Sequence, residues 1–93
     1  MSFTKDITVE RAKKDLARRL KIGGDEIKEL GVSAKDFPDM ALGAAIKGEM
    51  SAKMISSGWQ IMLDAKGKHY EYRGDKYQLR LHNFNGANYV IES

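Results

Sequence analysis

GWQIMLDAKGKHYEYRGDKYQLRLH, residues 58–82, is the stretch that decides the fold. Trp59, Ile61, Leu63 and Ala65 alternate with Gln60, Met62 and Asp64. That two-residue period is the mark of a strand with one buried face and one partly wet face. Lys66-Gly67 supplies a tight turn. Tyr70 and Tyr72 then share one face, with His69, Glu71 and Arg73 on the other. Gly74-Asp75 turns the chain again, after which Tyr77, Leu79 and Leu81 alternate with Gln78, Arg80 and His82. Asn85-Gly86 is a strong hairpin signal, and Tyr89-Val90-Ile91 returns as a last short strand. The pattern is an antiparallel meander.

Upstream, Val9, Ala12, Leu16 and Leu20 recur at spacings of three and four, one apolar helical stripe. Thr8 is read as the N-cap, Glu10 favours the first turn, and Gly23-Gly24 is read as the stop. The spacing predicts a helix over about 8–21. In EIKELGVSAKDF, Leu30, Val32 and Ala34 at period two predict a strand across 26–37. One helix followed by a run of strands makes an α+β domain: an N-terminal helix packed on a curved antiparallel sheet of four to five strands. No repeat or linker divides the 93 residues, so 1–93 reads as a single domain.

Between the first strand and the meander lies FPDMALGAAIKGEMSAKMISSG, residues 37–58. It holds Met40, Met50, Met54 and the chain's one proline, in a pattern that is neither helix nor sheet. Met50, Met54 and Ile55, with Ala45 and Ile46, are expected to form a short helical turn on the sheet edge. Burial is expected for Leu42, Ile46 and Ile55, and exposure for some of Met40, Met50 and Met62.

Composition narrows the function classes. Cysteine is absent, which excludes disulfides and thiolate chemistry and suits a reducing compartment. The N-terminus lacks the apolar run of a signal peptide, so a cytoplasmic location without membrane attachment is expected. The net charge of +3 is mild. Arg11, Lys14, Arg18 and Lys21 fall within roughly 80° on a helical wheel, opposite the apolar stripe. They are either a handle for phosphates or a solvated outer face, and the second reading is preferred.

His69 and His82 sit on the polar face of the meander, where Glu71 could pair with an imidazole. No HxxE, HxH or CxxC spacing accompanies them, and no serine elbow or phosphate-binding glycine loop appears. No catalytic residue, metal or cofactor is therefore assigned, and no enzyme activity is expected. Trp59 and the tyrosines could stack bases, but Trp59, Ile61 and Leu63 share the face the helix must cover.

The residues also resemble a small, functionally uncharacterised bacterial domain, often exported, with the pattern W-P-D-x-S-L-G-C-P-x-P-G-M, P-G-[YW]-x-I-x-L and Y-E-Y-H. Phe37-Pro38-Asp39, Leu42-Gly43, Gly48, Gly58-Trp59-Gln60-Ile61 and Tyr70-Glu71-Tyr72-Arg73 carry the resemblance across residues 9–82. Ala12, Asp15, Leu16, Ala17, Arg19 and Leu20 match its helix. The pattern's cysteine is Ala44 here, three of its prolines are Ala45, Lys47 and Ser57, and a tyrosine is Ser51. The resemblance implies a cystatin-like or PepSY-like helix on a sheet, an architecture that serves inhibitors, propeptide-like modules and ligand-binding domains.

The expectation is a non-catalytic protein-interaction or inhibitor-like binding module. Its partner-binding candidates are Met40, Lys47, Met50, Lys53 and Met54. A homodimer through a sheet edge or the methionine loop is also expected to be within reach. Nucleic-acid binding through the basic helix face is the less favoured alternative.

Overall fold

The computed structural model describes residues 3–93. Helix α1 spans Lys5–Leu20 and is followed by a short 3-10 turn, Gly24–Glu26. Five strands follow: β1 Ile27–Phe37, β2 Ser56–Ala65, β3 Lys68–Gly74, β4 Leu79–Phe84 and β5 Ala87–Glu92. They form one antiparallel sheet in sequence order, so β1 and β5 are its edges. A helix on a five-stranded antiparallel sheet is the α+β arrangement read from the sequence.

The helix begins one turn earlier than its apolar stripe suggests. Thr4, not Thr8, is the N-cap, its side chain accepting from the Ile7 amide at 3.2 Å. Thr8 is fully buried and donates its hydroxyl to the Thr4 carbonyl at 2.7 Å. Its methyl lies against Gly74 of β3, where an added Cβ would come within 2.6 Å of Thr8 Cγ2. Gly74 thus lets the helix approach the sheet, and Thr8 is spent on packing. At the other end Lys21 adopts the left-handed conformation (φ 57°), so Gly23-Gly24 are not the cap. The Ile22 amide closes the terminus on the Ala17 carbonyl.

The two short hairpins follow their turn residues. Lys66 and Gly67 (φ 53° and 83°) and Asn85 and Gly86 (φ 52° and 86°) have the paired positive φ angles of a type I′ turn. The Gly74–Leu79 connection is longer than the alternation suggests. Asp75 accepts from the Tyr77 and Gln78 amides, which holds Tyr77 out of β4 and in solvent.

In β1 the expected two-residue face fails at Leu30. The register against β2 shifts between Glu29 and Gly31, leaving Leu30 exposed, and Ala34 is exposed as well. A bulge at an edge strand bends it and discourages further pairing, which is the physical reason the period breaks there.

Val9, Ala12 and Leu16 of α1 pack with Ile27, Ile61, Leu63, Tyr72, Leu79 and Leu81 of the sheet, and Trp59 and Tyr70 lean on this core. Tyr72 donates to Asp15 at 2.7 Å, and Arg19 donates to the same oxygen at 2.7 Å. Burial, reinforced by the Asp15 carboxylate, holds the Tyr72 phenol far above its ordinary range. No helix among the described residues is long and apolar enough to cross a membrane.

Candidate functional site

The opposite face of the sheet is built on different chemistry. Strand pairing aligns Gln60 with Arg73, Glu71 with His82, and Arg73 with Arg80. Two arginines directly opposite each other repel unless acceptors surround them. Here the crossover from Pro38 to Ile55 provides those acceptors. Arg73 donates to the Leu42 carbonyl at 3.0 Å and the Gly43 carbonyl at 3.1 Å, and its guanidinium lies 5.4 Å from the Phe37 ring centre. Arg80 donates to the Ala44 carbonyl and grips both carboxylate oxygens of Glu49.

Further contacts complete the clamp. Gln78 donates to the Met40 carbonyl at 2.7 Å, and Asn88 donates to the Ala45 carbonyl at 2.8 Å. Inside the loop, Asp39 accepts from the Ala41 and Gly43 amides, both at 2.9 Å. Leu42 and Gly43 both take positive φ (59° and 64°), a conformation disfavoured for leucine. The buried Leu42 side chain and the Arg73 contact hold it there. Phe37, Ala41, Leu42 and Ala44 are buried away from the core under the helix.

The electrostatics follow from these contacts. Hydrogen bonding from Arg80 outweighs burial and pulls the Glu49 carboxyl down to about 2. Burial works to raise Glu71, but hydrogen bonds from Gln60 and Arg73 prevail and its carboxyl is lowered. Gly58 is needed for backbone clearance: a Cβ there would be driven into the Gly74 carbonyl.

What the clamp leaves outside is apolar. Met50 is 97% exposed, Ile55 76% and Met54 62%, and Met40 lies beside them through its amide bond to the Ala52 carbonyl. Lys47 and Lys53 are also exposed. The expected helical turn on the sheet edge is absent among the described residues. The segment is an irregular cover over the sheet face, with turns closed from the Leu42 amide to the Asp39 carbonyl, from Ala44 to Ala41 and from Glu49 to Ile46. Leu42 is buried as expected, whereas Ile46 and Ile55 are exposed. The Glu49 anchor holds Ile46 in its exposed position: the Ile46 amide donates to the Glu49 carboxylate at 3.1 Å and its carbonyl accepts from the Glu49 amide at 3.0 Å.

The basic helix face is partly consumed. Arg11 pairs with Glu92, and Lys21 has left the helix as its cap. Lys14 and Arg18 are exposed on the helix, where they share an open groove of about 600 Å³ against β5 with Asp6 and Glu10. Of the histidines, His69 is exposed beside Asp64 at 3.8 Å. His82 lies across from Glu71, whose Oε2 already accepts from Gln60 and Arg73, and its buried Nδ1 has no partner. Among the described residues no three of His, Asp or Glu stand together as metal ligands.

Residues 9–82 match the family described as Domain of unknown function (DUF8738). The chain belongs to this family. No curated protein and no solved structure matches the chain. The DUF8738 span runs from within α1 to β4, so the whole of the arginine clamp to loop carbonyls falls inside it, while β5 lies beyond it.

Sequence reasoning placed Arg73 and Arg80 on a solvated polar face and missed their role. Their alternation in neighbouring strands was visible, and so was the need of two facing cations for acceptors. What was not visible was that a loop thirty residues upstream would supply them as backbone carbonyls.

Proposed function

We propose that this DUF8738 domain is a non-catalytic protein-interaction module whose contact surface is the exposed segment around Met50, Met54 and Ile55. The observation that carries the reading is the way this segment is held. Arg73, Arg80 and Gln78 fasten the crossover to the sheet, yet Met50, Met54 and Ile55 point to solvent. Methionine adapts its shape to a partner, and a tethered segment loses less conformational freedom on binding than a free one. An apolar display of this kind suits a partner with its own apolar groove, which would be an inhibitor-like mode.

The nucleic-acid alternative draws less support. One cation of the helix face, Arg11, is paired, Lys21 lies past the end of the helix, and Asp6 and Glu10 occupy the same surface. A gel shift at low salt that fades steeply as salt rises would reinstate it.

The test begins with partners captured on the immobilised protein, identified, purified and titrated against wild type and Met50→Asp/Met54→Asp. Both positions are exposed, and circular dichroism checks that the variant folds. Binding weaker by about tenfold or more is expected, the effect of charging a central apolar contact. Equal affinity for the two proteins would sink the reading.

A further inference from the structure

The groove between α1 and β5 has a charge pattern that the binding loop does not explain. The Arg11–Glu92 pair and the stacking of Arg19 over Tyr89 at 4.7 Å set the helix antiparallel to β5. Asp6 and Glu10 therefore line one end of the groove, and Lys14 and Arg18 line the other. Among the described residues none of these four forms an ion pair. Ile7 and Val90 expose apolar surface in the same groove.

The two edges of the sheet carry unequal charge. β1 carries Lys28, Glu29, Lys35 and Asp36 and a bulge at Leu30, devices that keep strands from joining. β5, with the sequence ANYVIE, also shifts register against β4, but it has one charged residue, and that one is paired with Arg11.

We propose that the α1–β5 face is a self-association surface, and that its occupant is a second copy of this chain related by a two-fold axis. Such an axis runs the two copies of α1 and of β5 antiparallel. Perpendicular to α1, the axis sets Asp6 and Glu10 of each copy against Lys14 and Arg18 of the other, with Ile7 and Val90 adding apolar surface to the contact. An acidic peptide in the same groove would meet Asp6 and Glu10, and a basic one would meet Lys14 and Arg18. Only a partner of matching polarity satisfies both ends, and a second copy has that polarity.

A charge exchange followed by sedimentation equilibrium tests this. Wild type is expected to dimerise, more weakly as salt rises. Asp6→Lys/Glu10→Lys and Lys14→Glu/Arg18→Glu should each raise the dissociation constant by about tenfold or more. Mixed together, the two variants should form a heterodimer, because an all-positive groove then meets an all-negative one. All four positions are exposed, and matching thermal melts confirm folding. A wild type that stays monomeric, a dimer indifferent to both reversals, or a mixture that does not associate would each overturn the proposal.

Discussion

The two faces of the sheet are sealed by opposite means. Under α1 the seal is apolar: Leu16, Ile61, Leu63, Tyr72 and Leu81 are fully buried, with one polar knot at Asp15. Under the crossover the seal is polar: two arginines reach up from β3 and β4 to carbonyls and a carboxylate. The apolar seal is non-directional and grows with area, so it gives the domain its bulk stability. The polar seal is directional and adds little net stability per contact, but it fixes where each part of the loop sits. The helix side makes the domain fold, and the loop side gives it a defined outer surface.

Truncation of the apolar face should produce the largest effect. Leu81→Ala is expected to lower unfolding stability by about 2–5 kcal/mol in denaturant melts, the range for a buried leucine. A change below about 1 kcal/mol would mean that this face is not the principal core.

Removal of the polar clamp should be smaller and local. Arg80→Leu is expected to cost about 1–3 kcal/mol, because Glu49 regains water when released. Hydrogen exchange should accelerate at the Met40 and Ala44 amides while those of Leu63 and Tyr72 keep their protection. Uniform acceleration across the sheet would show that the loop is part of one cooperative core, and the distinction between the faces would fall.

The smallest effect is the most specific. Glu49 has a folded value of about 2 against an ordinary 4.5, so its contribution is present above 4.5 and is lost as pH falls toward 2. Loop exchange should therefore rise in that window relative to the core, and Glu49→Gln should flatten the dependence. A loop equally protected at pH 6 and pH 2.5 would remove Glu49 from the clamp.

The helix, both type I′ hairpins and the inward face of β2 and β3 were legible because each rests on short-range periodicity or turn chemistry. Thr8 misled because a threonine ahead of an apolar stripe looks like a cap. Its burial depends on Gly74, a residue far along the chain. Leu30 misled because a bulge resets the alternation there, and Gly31 was its one local sign. Ala34 keeps the register of Val32 and is exposed all the same. The crossover was the least legible part. Ile46 and Ile55 are apolar, and apolarity predicts burial unless something else has already claimed the space. Arg73 and Arg80 had claimed it.

The arginine clamp has a consequence for how this domain can change. Most of its acceptors in the crossover are the carbonyls of Met40, Leu42, Gly43, Ala44 and Ala45, reached by Arg73, Gln78, Arg80 and Asn88. A carbonyl is the same in every amino acid. Residues 50–55 lie past these anchors, tied back by the Met40 amide to the Ala52 carbonyl, and can be rewritten with few demands on the residues that hold the crossover. The sheet then serves as a fixed mount on which the exposed segment can be replaced.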